Sequence, residues 1–222
     1  MTDINFRSDM RVEYVDHMGD DKRIAQAARV STGNDQSDRP HEGLVKRLWR
    51  DQHTSTFEHN VLTVRVEVPI FVAREWMRHR TQAFNEISGR YTEMKPVFYR
   101  PGVERPLVQV GKAMDYRRVV GSVAQDELSG EAHRAVAEYA WGYYQHMLER
   151  GIAREVARNV LPSSLFTQFY ATANLRNWLH FVELRTDETA LWEIRQAAFM
   201  VEGIIAGLWP VAHGAGRDGL EP

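Results

Sequence analysis

The sequence predicts a mixed α/β fold in a single domain, and three observations carry that reading. Leu62, Val64, Val66 and Val68 alternate with Thr63, Arg65 and Glu67, the period-two pattern of a strand with one buried face. Leu191, Ile194, Ala198, Val201, Ile205 and Leu208 step by three and four, the stripe of an amphipathic helix. No internal repeat or low-complexity linker divides the 222 residues, a length sufficient to bury a sizeable core.

In chain order, Met10 to Val15 alternates weakly and reads as a short strand. Asp20 suits the N-cap of a helix over 21–30, which the turn residues Ser31 to Asn34 end. Residues 35–40 read as a polar loop, and Leu44, Val45, Leu48 and Trp49 place a helix over 42–52. Pro69 closes the clear strand and opens an apolar helical segment to Met77. Arg78 to Tyr91 reads as that helix's end opening into a shaped loop, 96–99 as extended, and 102–121 as a variable loop with one helical turn. Ala132, Val136, Tyr139, Tyr143 and Met147 form a stripe on a long helix stopped near Gly151, a suitable C′ residue. Helical character resumes over 153–160 until Pro162. Residues 165–172, rich in Phe, Tyr and Thr, fit a strand or part of a helix, and a helix follows over 174–184. Residues 1–210 read as the domain and 211–222 as a flexible tail.

Composition bounds the chemistry. A net charge of -2 and a pI near 6.5 argue against nonspecific binding to nucleic acid, which needs an excess of Lys and Arg. Nothing approaches the roughly 18 consecutive apolar residues of a membrane span. The N-terminus offers no signal-peptide core, so the sequence reads as cytoplasmic. There are no cysteines. Disulfides, thiolate metal sites and thiol nucleophiles are therefore excluded together. His53 and His59 lack partners at metal-ligand spacing, and no metal site is expected.

Polar chemistry concentrates in two places. RHRTQAFNEISGRY, Arg78 to Tyr91, packs three arginines, a histidine, a glutamate, an asparagine and a serine into one turn-rich stretch. Arginine forks suit phosphates and planar carboxylates, so an anionic ligand is the first expectation. A basic helix C-terminus favoured by the macrodipole accounts for Arg78 and Arg80, but not for the polar residues after them. The second concentration is Arg154, Arg158, Asn174, Arg176, His180 and Arg185, for which a solvated helix face is the bland alternative. The tail contains a literal GxGxxG at Gly214 to Gly219, but without the strand and helix that a dinucleotide fingerprint requires.

These residues resemble the flavin-dependent thymidylate synthases. Arg78-His79-Arg80, then seven residues, then Ser88 matches that family's hallmark, with Asn85-Glu86 and Gly89-Arg90-Tyr91 in its extended pattern. Ala27 to Ser31, Phe57-Glu58-His59, Ala157 to Pro162, Asn174-x-Arg176 and Leu184 to Arg195 follow in the family's order, and 102–121 matches least. The resemblance implies a mainly antiparallel, twisted sheet flanked by long helices, in a homotetramer whose sites are shared between subunits. It implies conversion of dUMP to dTMP, with methylenetetrahydrofolate as one-carbon donor and NADPH-reduced FAD as hydride carrier. A chain without cysteine cannot activate uracil by thiol addition, and a permanently charged arginine beside N3 and O4 is another route.

Carried over by position, the resemblance makes Arg185 the catalytic residue. Glu75, Trp76, Met77 and Arg78 fall on the dUMP side, with Glu86, Ile87, Ser88, Gly89, Arg90, Arg158 and Arg185. Ser55, Arg78, His79, Arg80, Glu86, Asn174, Leu175, Arg176 and His180 fall on the FAD side, with Ser31, His53 and Glu58 as weaker candidates there. Ser88 is then a binding hydroxyl, not a nucleophile. The chain departs from the family at Glu75, Ala83 and Leu191, where glutamine, serine and glutamine are common. Two alternatives remain: a related flavoenzyme acting on another pyrimidine nucleotide, and a non-enzymatic nucleotide-binding protein.

Overall fold

A computed structural model describes residues 3–35, 38–112 and 115–218. In chain order the elements begin with β1 (Asn5–Arg7), β2 (Arg11–Met18), α1 (Asp21–Arg29), α2 (Glu42–Arg50), β3 (Val61–Pro69) and α3 (Ile70–Trp76). There follow β4 (Ala83–Glu86), β5 (Val97–Tyr99), β6 (Val108–Lys112), β7 (Asp115–Val119) and α4 (Val123–Glu149). The chain closes with α5 (Arg154–Ala157), β8 (Phe166–Asn174), α6 (Leu175–Thr186), α7 (Trp192–Leu208) and α8 (Pro210–Asp218). The mixed α/β class is as expected, and within it the chain forms two compact units, each drawn from separate stretches.

The first unit holds the residues up to Met10, Glu67–Trp76 and Glu86–Gln168. β1 pairs with β5 in parallel, Phe6 opposite Phe98, and β6 pairs with β7 antiparallel, Gln109 opposite Arg118. The hairpin corrects the loop expected over 102–121. Its Val, Tyr and Arg residues sit on short exposed strands whose alternation is too weak to read from sequence. Helix α4 starts in a capping box between Ser122 and Gln125. Its buried face is Gly130, Ala137, Ala140, Trp141 and Tyr144, not the stripe read from the sequence. Tyr139 of that stripe is 70% exposed, and its hydroxyl donates to Tyr143. Both sides of this helix carry apolar residues, so periodicity alone could not choose between them. Phe98, Ala137, Trp141, Tyr144, Ala157 and Leu165 form the unit's core. Gly151, with φ +74°, adopts the left-handed conformation expected beyond the helix end.

The second unit holds Arg11–Val66, Met77–Asn85 and the chain from Phe169 onward. It contains the body of a four-stranded sheet in the order β2-β3-β8-β4. Leu62, Val64 and Val66 are buried, as the alternation predicts, and 166–174 resolves as a strand. β4 lies within the stretch expected to be a loop, because Ala83 to Glu86 joins the sheet edge. Asp20 caps α1, accepting from the Arg23 amide at 2.8 Å. Helix α6 packs on α7 and α2 packs on α8. Burying the indoles of Trp178 and Trp209 leaves two N–H donors to satisfy. They go to the carbonyls of Leu62 and Gly19, each at 3.0 Å.

Residues 211–218 of the expected flexible tail form α8 instead, and 219–222 lie outside the described residues. The Asp21 carboxylate accepts from the amides of Val211 and Ala212 at 2.9 and 3.0 Å. Two amides at a helix start that lack intrahelical partners are thereby satisfied from 190 positions upstream. No helix among the described residues is long and apolar enough to cross a membrane.

Candidate functional site

In the second unit the RHR motif occupies tight backbone turns. The Arg80 amide donates to the Arg78 carbonyl and the Gln82 amide to His79, at 3.0 and 3.1 Å. This curl turns His79 inward, where it is 9% exposed, while Arg78 and Arg80 stay exposed. Phe181 meets the imidazole at 4.9 Å between centroids and 68° between planes, and His180 lies 6.4 Å away. Arg185, in the last turn of α6, donates from Nε to His79 Nε2 at 2.8 Å. Guanidinium has no acceptor, so His79 Nε2 must carry a lone pair and the ring proton must sit on Nδ1. Burial first, and then the positive charges of Arg185, His180 and Arg78, push the His79 pKa down to about 4. The imidazole is neutral at physiological pH.

Asn174 is the N-cap of α6, its side chain accepting from the Asn177 amide at 3.0 Å. The Asn-x-Arg spacing therefore sets Arg176 in the helix's first turn, where Glu58 holds it at 2.7 Å. Leu175 is fully buried in the core, and its amide donates to the Asn60 carbonyl at 2.8 Å. Ser55, Ser31 and His53 are exposed.

Arg176, Asn177, His180, Thr54 and Thr81 line a cavity of about 1270 Å³. That exceeds the roughly 300–1,000 Å³ of ordinary ligand pockets and has room for an extended dinucleotide. Its other wall comes from α2 and α8, through Lys46, Arg47, Arg50, His213, Gly216 and Arg217. Sequence reasoning missed this wall, although Lys46, Arg47 and Arg50 fall close together on the helix expected over 42–52. Gly214 and Gly216 of the GxGxxG lie within α8, Gly216 lining the cavity, and Gly219 lies outside the described residues. With no strand-to-helix turn there, the dinucleotide fingerprint is excluded. Glu202 ties the wall together, accepting from Arg217 and bonded to His213. Burial raises the Glu202 carboxyl, but Arg217 and His213 outweigh it and hold the group below its ordinary value.

The expected nucleotide side falls mainly in the first unit. The Ile87 amide donates to the Gln168 carbonyl at 3.0 Å, and Thr167 donates its hydroxyl to Glu86. Ser88 anchors a turn: its carbonyl accepts from the Tyr91 and Thr92 amides, and its hydroxyl from the Arg90 amide at 3.3 Å. Arg90 pairs with Glu155 at 3.1 Å. Gly89 is buried, and a Cβ there would lie 3.0 Å from Met94 sulfur and 3.2 Å from Arg158 Cδ. With Glu86, Ile87, Arg158 and Thr167 it lines a cavity of about 140 Å³. Trp76 is fully buried in α3 and Glu75 half-buried beside it, while Met77 and Arg78 belong to the second unit. Ala83 is exposed at the start of β4, and Leu191 takes the N-cap position of α7 without a side-chain cap.

Over residues 13–211 the chain matches the family described as thymidylate synthase complementing protein. A flavin-dependent thymidylate synthase of Streptomyces avermitilis is 48% identical over 82% of this chain and 77% of the relative. The chain belongs to this family. A second flavin-dependent thymidylate synthase, from Thermus thermophilus, is 43% identical over 94% of this chain and 76% of its own. Among solved structures, the UMP/dUMP methylase PolB from Streptomyces cacaoi bound with 5-Br UMP superposes with a TM-score of 0.91. It is 42% identical, over 97% of this chain and 96% of that one. The same methylase bound with 5-Br dUMP gives 0.90 at 41% identity, covering 97% of both chains.

Proposed function

We infer that the protein is a flavin-dependent thymidylate synthase, converting dUMP to dTMP with FAD, and with NADPH and methylenetetrahydrofolate as co-substrates. The observation that carries this is the family match across 13–211 by a chain with no thiol to activate uracil. The cationic cavity fits the cofactor's chemistry: Arg176 and His180 on one wall and Lys46, Arg50 and Arg217 on the other suit a pyrophosphate-bearing dinucleotide. Bound there, the flavin supplies the hydride that completes the methyl group. Arg78, His79, Arg80, Asn174 and Ser55 complete the flavin side of the reading.

On the nucleotide side, Ser88, Gly89, Arg90 and Arg158 receive dUMP. Arg158 suits a phosphate, because its side chain has no ion pair or hydrogen bond among the described residues. Arg185 is the catalytic residue. Its fixed charge stabilises negative charge on the uracil N3 and O4, which raises electron density at C5 without covalent addition at C6. Ser88 binds and does not attack. The small cavity is below the size a nucleotide needs, which supports a site completed by other subunits of a homotetramer. Light scattering at about four times the 25.7 kDa chain mass would support that assembly, and a monomer would refute it. The reading places the reaction in the cytoplasm.

Release of tritium from C5-labelled dUMP, dependent on both NADPH and methylenetetrahydrofolate, is the expected result. Bound flavin without release would overturn the reading. A second reading, methylation of UMP, is favoured by the similarity to the UMP/dUMP methylase PolB. Comparing kcat/KM for C5-labelled UMP and dUMP decides between them.

A further inference from the structure

We propose that His79 is the positioning residue for Arg185: its neutral imidazole accepts the Arg185 Nε–H and sets the plane in which the guanidinium meets the uracil ring. The inference rests on the reading of Arg185 as the ring-activating cation.

The geometry is specific. A residue in the turn after α3 and one in the last turn of α6, 106 positions apart, meet through a single 2.8 Å bond between side-chain nitrogens. A guanidinium is flat, so fixing the direction of its Nε–H fixes the plane of its terminal fork as well. Charge stabilisation by a planar donor depends on that plane, because hydrogen bonds weaken steeply when misaligned. Without the acceptor, the Nε–H loses the direction that the imidazole gives it.

The acceptor must also be uncharged. A protonated imidazole has no lone pair to offer and would repel the guanidinium. Here burial keeps the ring neutral, assisted by the positive charges of Arg185, His180 and Arg78 around it. The Phe181 edge contact holds the ring in place. This gives a chemical reason for a histidine between two arginines in the motif. A third cation at the centre could not accept from Arg185, whereas the flanking arginines point outward and can meet anions.

The test uses FAD-loaded full-length enzyme and C5-tritium release, with flavin absorbance per chain recorded for every variant. His79→Ala is expected to lower kcat about a hundredfold per flavin-loaded chain, the scale of a displaced catalytic group. KM for dUMP should move by less than about threefold. His79→Gln, whose side-chain carbonyl can accept from Nε, is expected to recover most of the loss. In an Arg185→Lys background, where no Nε–H exists to be oriented, His79→Ala should cause no further loss, since residues acting as a unit are not additive. Three results would each overturn the proposal: kcat of flavin-loaded His79→Ala near wild type, no recovery in folded His79→Gln, or an equal loss in both Arg185 backgrounds. Near-normal turnover of Arg185→Ala would instead overturn the underlying reading. A dead Arg185→Ala beside fully active His79 variants would sink this inference alone.

Discussion

Acidification from pH 7 to 5 should destabilise the wild-type fold by about 2 kcal/mol more than a His79→Gln variant. In the folded protein the His79 pKa lies at about 4, against 6.5 for an ordinary histidine. Below pH 6.5 the unfolded chain takes up a proton that the native ring refuses. The stabilisation is therefore present above pH 6.5 and lost as pH falls toward 4. Each unit of displacement is worth about 1.4 kcal/mol, so the whole shift corresponds to roughly 3 kcal/mol, of which about 2 falls between pH 7 and 5. Urea unfolding of both proteins at pH 7, 6 and 5, at constant ionic strength, measures it. The held-down carboxyls of Glu202 and Asp187 and the raised carboxyl of Asp21 titrate in both proteins, so the difference isolates position 79. Stability curves that stay parallel across this range would refute a neutral, buried His79.

Gly89→Ala brings a methyl to 3.0 Å from the Met94 sulfur and 3.2 Å from Arg158 Cδ. It should raise KM for dUMP by about tenfold with flavin content unchanged, the cost of displacing one phosphate-binding cation. Asn174→Ala removes the cap of α6 and should lower stability by about 1 kcal/mol, read by urea unfolding. Because Arg176 stands in that first turn, flavin affinity measured by titration should fall as well. Asp21→Ala strands two amides at the start of α8 and should cost about 2 kcal/mol, with faster hydrogen exchange in 211–218.

Much of the fold and of the candidate site was legible because its signals are local. Strict alternation over 62–68, the Asp20 cap and the stripe on α7 each follow from interactions within a few residues, and they appear in the structure where the pattern places them. The residues of the RHR stretch and Arg185 were named from sequence alone. What failed to show was set at a distance. Asp21 orders α8 from 190 positions upstream, so a glycine-rich tail that looks flexible is a helix lining the large cavity. The apolar residues around α4 permit two buried faces, and only packing on Phe98 and Leu165 selects the one through Trp141. The 102–121 hairpin and β4 are stabilised by pairing with another strand, a partner that local propensity does not reveal.

The sequence by itself determined the family, the absence of a thiol and hence the class of chemistry open to a uracil-methylating protein, because those depend on residue identity and spacing. Tertiary structure alone decided that His79 faces inward as a neutral acceptor for Arg185, and that α2 and α8 supply the cationic wall opposite Arg176. Ring tautomer, burial and charge balance depend on neighbours brought together by folding, and no reading along the chain contains them.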